Sequence, residues 1–267
     1  MQEKQTVKKT AIVTGASSGI GYEICRQLYE KGYSVYGLSR RGSAPEGVKG
    51  ICADITDREA VNAAVQEIAA ASGHIDLLIN NAGMGISGPV EYASQEDIRR
   101  IMEVNFNGQV YVTQAVLEMM RRKKQGSIVF VSSVAASIAI PYQAFYSAGK
   151  AAVSALALAL RNELKDHGIR VCAVLPGDAA TGFTDARKKE NRFDAEYPHN
   201  QTATAAMEKD ERSGMTPAYV AAQVIRAAEK KHPKPLYTIG AKYKVFLTLF
   251  KLLPARMSYA IVGKMYS

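Results

Sequence analysis

TAIVTGASSGIG, Thr10 to Gly21, is an apolar run that breaks into a glycine-rich turn and then enters a helical pattern. TAIVTG reads as a strand covered on both faces. Gly15, Gly19 and Gly21 follow a G-x3-G-x-G spacing. Gly15 permits a tight exit from the strand, while Gly19 and Gly21 let backbone and helix approach a pyrophosphate closely. The helix opening at Gly19 would aim unpaired N–H groups and its positive dipole end at the same point. Ser17 and Ser18 can add hydroxyl donors, and Ile20 lies inside the turn. A glycine turn placed between an apolar strand and a helix points to a bound dinucleotide.

Six further apolar runs follow: SVYGLS (34–39), VKGICAD (48–54), IDLLINNA (75–82), SIVFVSS (127–133), RVCAVLPG (170–177) and PLYTIG (235–240). Segments of helical length lie at 19–31, 57–72, 94–122 and 146–167. The connection from 39 to 48 is too short to assign a helix. Strand–helix alternation predicts an α/β chain with a doubly wound, seven-stranded parallel sheet. No linker or repeat divides residues 1–267, so a single domain is expected. Residues 178–215 are polar and lack a clear apolar face. They read as a substrate lid or mobile loop following a strand end, where ligands bind in this architecture.

The composition is ordinary for a globular protein, 47% hydrophobic and 22% charged. The leader MQEKQTVKKT has no apolar signal core and no run is long enough to span a bilayer, so a cytoplasmic location is expected. Cys25, Cys52 and Cys172 are scattered and odd in number; they read as buried free thiols, with neither a disulfide framework nor a metal site. The net charge of +9 is uneven: residues 216–267 carry nine Lys/Arg and one acid, Glu229, so residues 1–215 carry only +1.

The second strand ends in LSRRG. An NAD site usually places an acid here for the ribose 2′-hydroxyl. This chain has Ser39, Arg40 and Arg41 instead, and an arginine can clamp a 2′-phosphate, so NADP(H) is favoured over NAD(H). Asp54, closing the third strand, suits an adenine amine; it could equally cap the helix starting near Asp57. In FYSAGK, Phe145 to Lys150, Tyr146 and Lys150 are four apart and share a helical face. A nearby cation would favour the phenolate of a tyrosine acting as acid or base.

TGASSGIG (14–21), NNAG (80–83), Asn105 in VNFNG, SSVAA (132–136), YSAGK (146–150) and PG with Thr181 (176–181) occur in one order and spacing. In these motifs the chain resembles the short-chain dehydrogenase/reductase family along nearly its whole length. The resemblance implies a Rossmann fold, a nicotinamide cofactor, and a tetrad carried by Asn105, Ser133, Tyr146 and Lys150. Ser132 competes, but Ser133, thirteen positions before Tyr146, fits the family spacing better. Asn81 and Gly83 would lie at the cofactor, with Gly177 and Thr181 near the nicotinamide. Ser133 would hydrogen-bond the substrate oxygen, Lys150 would also hold the ribose, and Asn105 would anchor a water leading from Lys150 to solvent. Asn105 could instead be a buried asparagine bonded to backbone, and Ser133 a turn cap. Asp178 and Ala179 depart from the family, which commonly has an aromatic or apolar residue and then Val or Ile there.

Met84, Gly85, Ala135, Gln143 and residues around Phe183 are the substrate-facing candidates, and their mixture suits a largely apolar ketone or alcohol. The expected reaction interconverts a carbonyl and a secondary alcohol. A non-catalytic NADP-binding regulator and a lyase or epimerase are the alternatives. The family resemblance also implies a homodimer or homotetramer, with 107–122 and 146–167 at the interface. In the basic, apolar segment 242–267, Val245, Phe246, Leu249, Leu252 and Leu253 can share one helical face. That face would pack on the body or a partner subunit, or attach peripherally to an anionic membrane. No nucleic-acid motif accompanies the charge.

Overall fold

The computed structural model describes residues 8–190 and 195–266. Most of the polar leader (1–7), part of the 178–215 insert (191–194) and Ser267 lie outside the described residues. Among the described residues nine strands form: β1 (Thr10–Thr14), β2 (Ser34–Ser39), β3 (Lys49–Cys52), β4 (Leu77–Asn80), β5 (Ile86–Ser87), β6 (Gly126–Val131), β7 (Ile169–Pro176), β8 (Lys188–Lys189) and β9 (Leu236–Ile239). Seven build one sheet in the order β3-β2-β1-β4-β6-β7-β9, every neighbour parallel, as the alternation predicts. The helices are α1 (Gly19–Glu30), α2 (Arg58–Ser72), α3 (Gln95–Met102), α4 (Gly108–Lys123), α5 (Ala144–Glu163), α6 (Phe183–Ala186), α7 (His199–Arg212), α8 (Pro217–Ala228), α9 (Ala241–Leu252) and α10 (Ala255–Met265).

Each sheet face has its own apolar core. Val61, Val65 and Ile68 of α2, Val112 and Val116 of α4 and Val153 of α5 cover one side. Ile24 and Leu28 of α1 with Val220, Val224 and Ile225 of α8 cover the other. Burial on both faces explains the near-continuous apolar strands. The edge strand β3 is the exception: Lys49, Gly50 and Cys52 are exposed, so Cys52 is a free surface thiol, unlike the buried Cys25 and Cys172.

Three elements differ from the sequence reading. The predicted helix 94–122 is two helices joined by a π-helical turn, Glu103–Asn107, that carries Asn105. Single π turns inside helices commonly serve to re-aim a side chain. The insert 178–215 contains α6, α7 and β8, and β8 pairs in parallel with β5 from outside the insert. Helix α7 buries Asn200, Ala203, Thr204 and Met207, a regular i, i+3, i+4, i+7 stripe. Two of its four members are polar, which hides the period from a hydropathy reading. Helix α5 begins at Ala144, so Tyr146 stands in its first turn, and its tail ends as a separate 3-10 turn at Lys165–His167.

The order in which strands are added reverses at β1. From β1 the sheet grows to β2 and β3 on one side and to β4, β6, β7 and β9 on the other. The ends of β1 and β4 are laced together at this switch point. Thr14 Oγ1 accepts from the N–H of Asn81 and of Ala82, each at 3.0 Å, and Asn81 Nδ2 donates to the Thr14 carbonyl at 2.9 Å. Thr14 is fully buried. Replacing its hydroxyl by a methyl in Thr14→Val strands two donors, each costing roughly 1–3 kcal/mol. Urea unfolding of that variant should show a loss of about 3 kcal/mol; a loss under about 1 kcal/mol would mean that the lacing contributes little.

Candidate active site

At the carboxyl ends of the strands lies a cavity of about 1360 Å³. It brings together Gly15, Ser17, Ser18, Gly19, Ile20, Ser39, Arg40, Asp54, Asn81, Gly83, Ser133, Gln143, Tyr146, Lys150, Gly177 and Thr181. The substrate-facing candidates Met84, Gly85, Ala135 and Phe183 line it too. Gly21 and Asn105 do not; both stand behind its wall.

The glycine turn fits a pyrophosphate. Gly15 and Gly19 have φ of 70° and 56°, the left-handed region. A side chain at Gly21 would begin 2.2 Å from the Gly15 carbonyl oxygen and 2.4 Å from Asn81 Nδ2, so no other residue fits. Ser18 precedes α1 in extended conformation and makes no side-chain cap, and the first turn holds no acid. The N–H groups there are suited to an anion. Thr181 faces this turn, its methyl 3.5 Å from where a Gly19 side chain would begin.

At the adenosine end, Arg40 and Arg41 are exposed and line the cavity. Arg41 Nη2 reaches Ser17 Oγ at 3.4 Å, tying the arginine loop to the phosphate turn. Arg41 therefore joins Arg40 as a candidate 2′-phosphate ligand. Asp54 does not cap α2: its Oδ1 accepts from Thr56 N–H at 3.0 Å, and Asp57 is the cap, accepting from Glu59 and Ala60. Ser39 is buried, its hydroxyl donating to the Ser43 carbonyl.

The π turn delivers Asn105 to the backbone of Met84 through two hydrogen bonds. Met84 N–H donates to Oδ1 at 2.8 Å, and Nδ2 donates to the Met84 carbonyl at 2.9 Å. Its side chain is thus the backbone-bonded asparagine, one of the two readings the sequence allowed. Oδ1 of Asn105 and Nζ of Lys150 both lie 3.3 Å from where a side chain at Gly83 would begin, so a side chain there would crowd both. Sequence reasoning missed Gln109 and Thr113 of α4. Gln109 Nε2 donates to the Ala82 carbonyl at 3.1 Å, and Thr113 Oγ1 accepts from Asn80 Nδ2 at 2.9 Å. Together they fix NNAG from behind.

The two serines have separated roles. Ser132 is buried, bonded to the Lys150 carbonyl at 2.9 Å and to Ser154 Oγ at 2.8 Å. Ser133 caps a 3-10 turn by accepting from Ala135 N–H at 3.1 Å, and it lines the same cavity wall as Tyr146.

Tyr146 and Lys150 do not form the simple pair that their spacing suggests. Lys150 is 4% exposed and donates to the Val131 carbonyl at 2.8 Å, with Nζ 5.9 Å from the Tyr146 ring centroid. Burial lowers its pKa to about 8. Tyr146 moves up, to about 12, because burial outweighs the lowering influence of Ser133; Glu211 adds to the rise and Arg187 opposes it. The net shift is thus opposite to what a neighbouring cation alone would give, because desolvation dominates.

Asp178 pairs with residues more than sixty positions further along the chain. It accepts a short hydrogen bond from the Tyr243 hydroxyl of α9, whose ring covers Gly177, and Lys242 Nζ lies 3.8 Å away. The polar departure at 178 was the available signal that a distant donor existed. From the insert, Met207, Asp210 and Glu211 line the cavity, and Gln143 Nε2 contacts Met207 Sδ at 3.0 Å. Glu211 is paired with buried Arg187.

Among the described residues no cluster of three or more His, Cys, Asp or Glu could hold a metal. The short chain dehydrogenase family model matches residues 9–192. The chain belongs to this family. This short-chain dehydrogenase is 38% identical over 256 residues to a 3-ketodihydrosphingosine reductase of Bacteroides thetaiotaomicron, covering 94% of this chain and 95% of the relative. It is 33% identical to an NADPH-dependent 3-dehydrocapnine reductase of Ornithobacterium rhinotracheale, covering 92% and 93%. A crystal structure of a short-chain dehydrogenase from Streptomyces avermitilis superposes with a TM-score of 0.83 at 28% identity, covering 99% of both chains.

Lys150 carries a stability consequence. An amine depressed from 10.5 to about 8 loses proton affinity on folding. The penalty is fully present below the folded value and vanishes above the unfolded one. Near pH 7, Lys150→Met should therefore unfold at higher urea, with a gain of up to about 3 kcal/mol at roughly 1.4 kcal/mol per unit. The gain should shrink as pH climbs through 8 towards 10.5. A variant less stable than the parent at neutral pH would contradict the burial penalty.

Proposed function

We propose that this short-chain dehydrogenase is an NADP(H)-dependent reductase of a largely apolar 3-keto compound, with Tyr146 as proton donor. The observation that carries the reading is the Tyr146 phenol, held protonated at neutral pH, which shares with Ser133 and Lys150 the wall of a cavity that runs back to the bare start of α1. NADPH, when bound, supplies the hydride. Gly15, Gly19 and the first turn of α1 hold the pyrophosphate. The Tyr146 hydroxyl gives its proton to the carbonyl oxygen, and Ser133 stabilises the charge developing there. Lys150, one helical turn along, is the cation that steadies the phenolate left behind. Burial keeps the phenol protonated near pH 7, the state a proton donor needs.

Two observations support the substrate class. Met84, Val134, Ile140, Phe183, Met207 and Tyr266 give the cavity an apolar wall. The relatives named above are reductases of a 3-keto and a 3-dehydro compound. NADP(H) is supported by Arg40 and Arg41 at the end of β2, with no acid until Glu46, and by the cofactor named for the second relative. A homodimer or homotetramer through α4 and α5 fits the partial burial of Tyr111, Met119, Leu156 and Leu160 on those helices. With cytoplasmic placement, these complete the reading.

Tyr146→Phe removes one oxygen. Its kcat for NADPH-driven reduction of 3-keto lipids should fall roughly 10²–10⁴-fold, while NADPH still quenches or shifts in a fluorescence titration. A phenylalanine variant reducing ketones at the parent rate would sink the mechanism. For the cofactor, Arg40→Asp with Arg41→Asp should raise the KM for NADPH roughly tenfold or more and leave NADH nearly unchanged. Equal effects on both would remove the 2′-phosphate assignment.

A further inference from the structure

Helices α9 and α10 form a hairpin at Pro254, and its two sides differ sharply. The inner side packs on the body: Leu247 and Val262 are buried with Ile138, and Phe246, Phe250 and Tyr266 close around them. Ser258 Oγ donates to the Phe250 carbonyl at 3.0 Å and clamps the two helices. The five residues expected on one face are thus split, with Phe246 inward and Val245, Leu249 and Leu252 outward.

On the outer side, Val245, Leu249 and Leu252 stand exposed at i, i+4, i+7, Leu252 to 77%, and Met257, Ile261 and Met265 follow on α10. Of the twelve exposed large apolar residues among the described ones, seven lie in this hairpin, so the exposure is concentrated rather than scattered. The same stretch, 241–266, carries Lys242, Lys244, Lys251, Arg256 and Lys264 and no acid. Neither helix is long and apolar enough to cross a membrane.

Charge decides what covers this face. A second copy meeting it through a twofold axis would set five cations against five, with no carboxylate of the hairpin to pair them. An anionic bilayer complements both properties at once: apolar side chains enter the headgroup boundary and the cations meet lipid phosphates. We propose that the α9–α10 hairpin is an interfacial anchor that docks this protein on anionic membranes. It sits beside the substrate end of the cavity. Tyr266, which ends α10, lines that cavity, and Val134, next to Ser133, packs on the hairpin. Docking would bring the cavity to the lipid surface, but the anchor stands on surface chemistry alone and can hold or fail independently of the reductase reading.

The test is flotation of the full chain with vesicles of phosphatidylcholine alone and of phosphatidylcholine mixed with phosphatidylglycerol. The protein should float with the anionic vesicles only, and less as salt rises. Leu249→Asp with Leu252→Asp should weaken partition roughly tenfold or more, and Lys251→Glu or Lys264→Glu about fivefold each. Circular dichroism and the thermal midpoint identify variants that keep the fold; should the leucine pair disturb it, the lysine variants decide. Absence of binding at low salt, or binding that folded variants retain in full, overturns the proposal. So does a parent that floats with neither vesicle and whose mass by light scattering falls when Leu249 and Leu252 are replaced, since a second copy would then be the occupant.

Discussion

The site depends on how closely β1 and β4 meet at the point where the sheet reverses. Gly21 packs against the Gly15 carbonyl and the Asn81 amide at distances that no side chain could tolerate. Asn81 reaches those carbonyls only because Thr14 fixes its backbone. One contact therefore sets the entry of α1, the pitch of the glycine turn and the position of NNAG. From NNAG the constraint passes on: Gly83 leaves room for Lys150, and Met84 receives Asn105 from the π turn. Regular helix through 103–107 would rotate Asn105 away from that backbone.

Burial then sets the electrostatics. Lys150 lies in the dry interior, bonded to a strand carbonyl, where its charge is costly. The phenol of Tyr146 is pushed the other way by the same loss of water, and the Glu211–Arg187 pair from the insert acts on it with opposite signs. The insert contributes more than cover for the cavity, because its charges reach the proposed proton donor. A tyrosine high in pKa and a lysine low in pKa both tend towards neutrality. That suits a phenol whose task is to give up a proton and a lysine close enough to answer the charge that follows.

Much of this was legible in the residues. The glycine turn and the strand runs rest on local rules of backbone and period, the tetrad on the family resemblance, and the sheet and the shared cavity followed them. What stayed hidden was long-range. Helix α7 turns Asn200 and Thr204 inward, so its buried stripe is half polar. Cys52 looked buried because its strand is apolar in part, but β3 is an edge, and edge placement is a property of topology. The direction of the Tyr146 shift depends on burial, which spacing between two residues does not report. Asp178 needed Tyr243, sixty-five positions away.

That last contact joins the cavity wall to the hairpin. Asp178 follows the PG turn, which lines the cavity, and its partner Tyr243 opens the basic hairpin. The ring of Tyr243 lies where any side chain at position 177 would sit, so Gly177 and the first turn of α9 are packed as one unit. Tyr266, at the far end of the hairpin, returns to the same cavity and feels Asp178, Asp210 and Glu211 as neighbouring negative charges. The hairpin is therefore tied to the cavity wall near both ends, through Tyr243 on Gly177 and through Tyr266, while Val134 and Ile138 hold its inner side and the apolar side chains from Val245 to Met265 on its outer side face away.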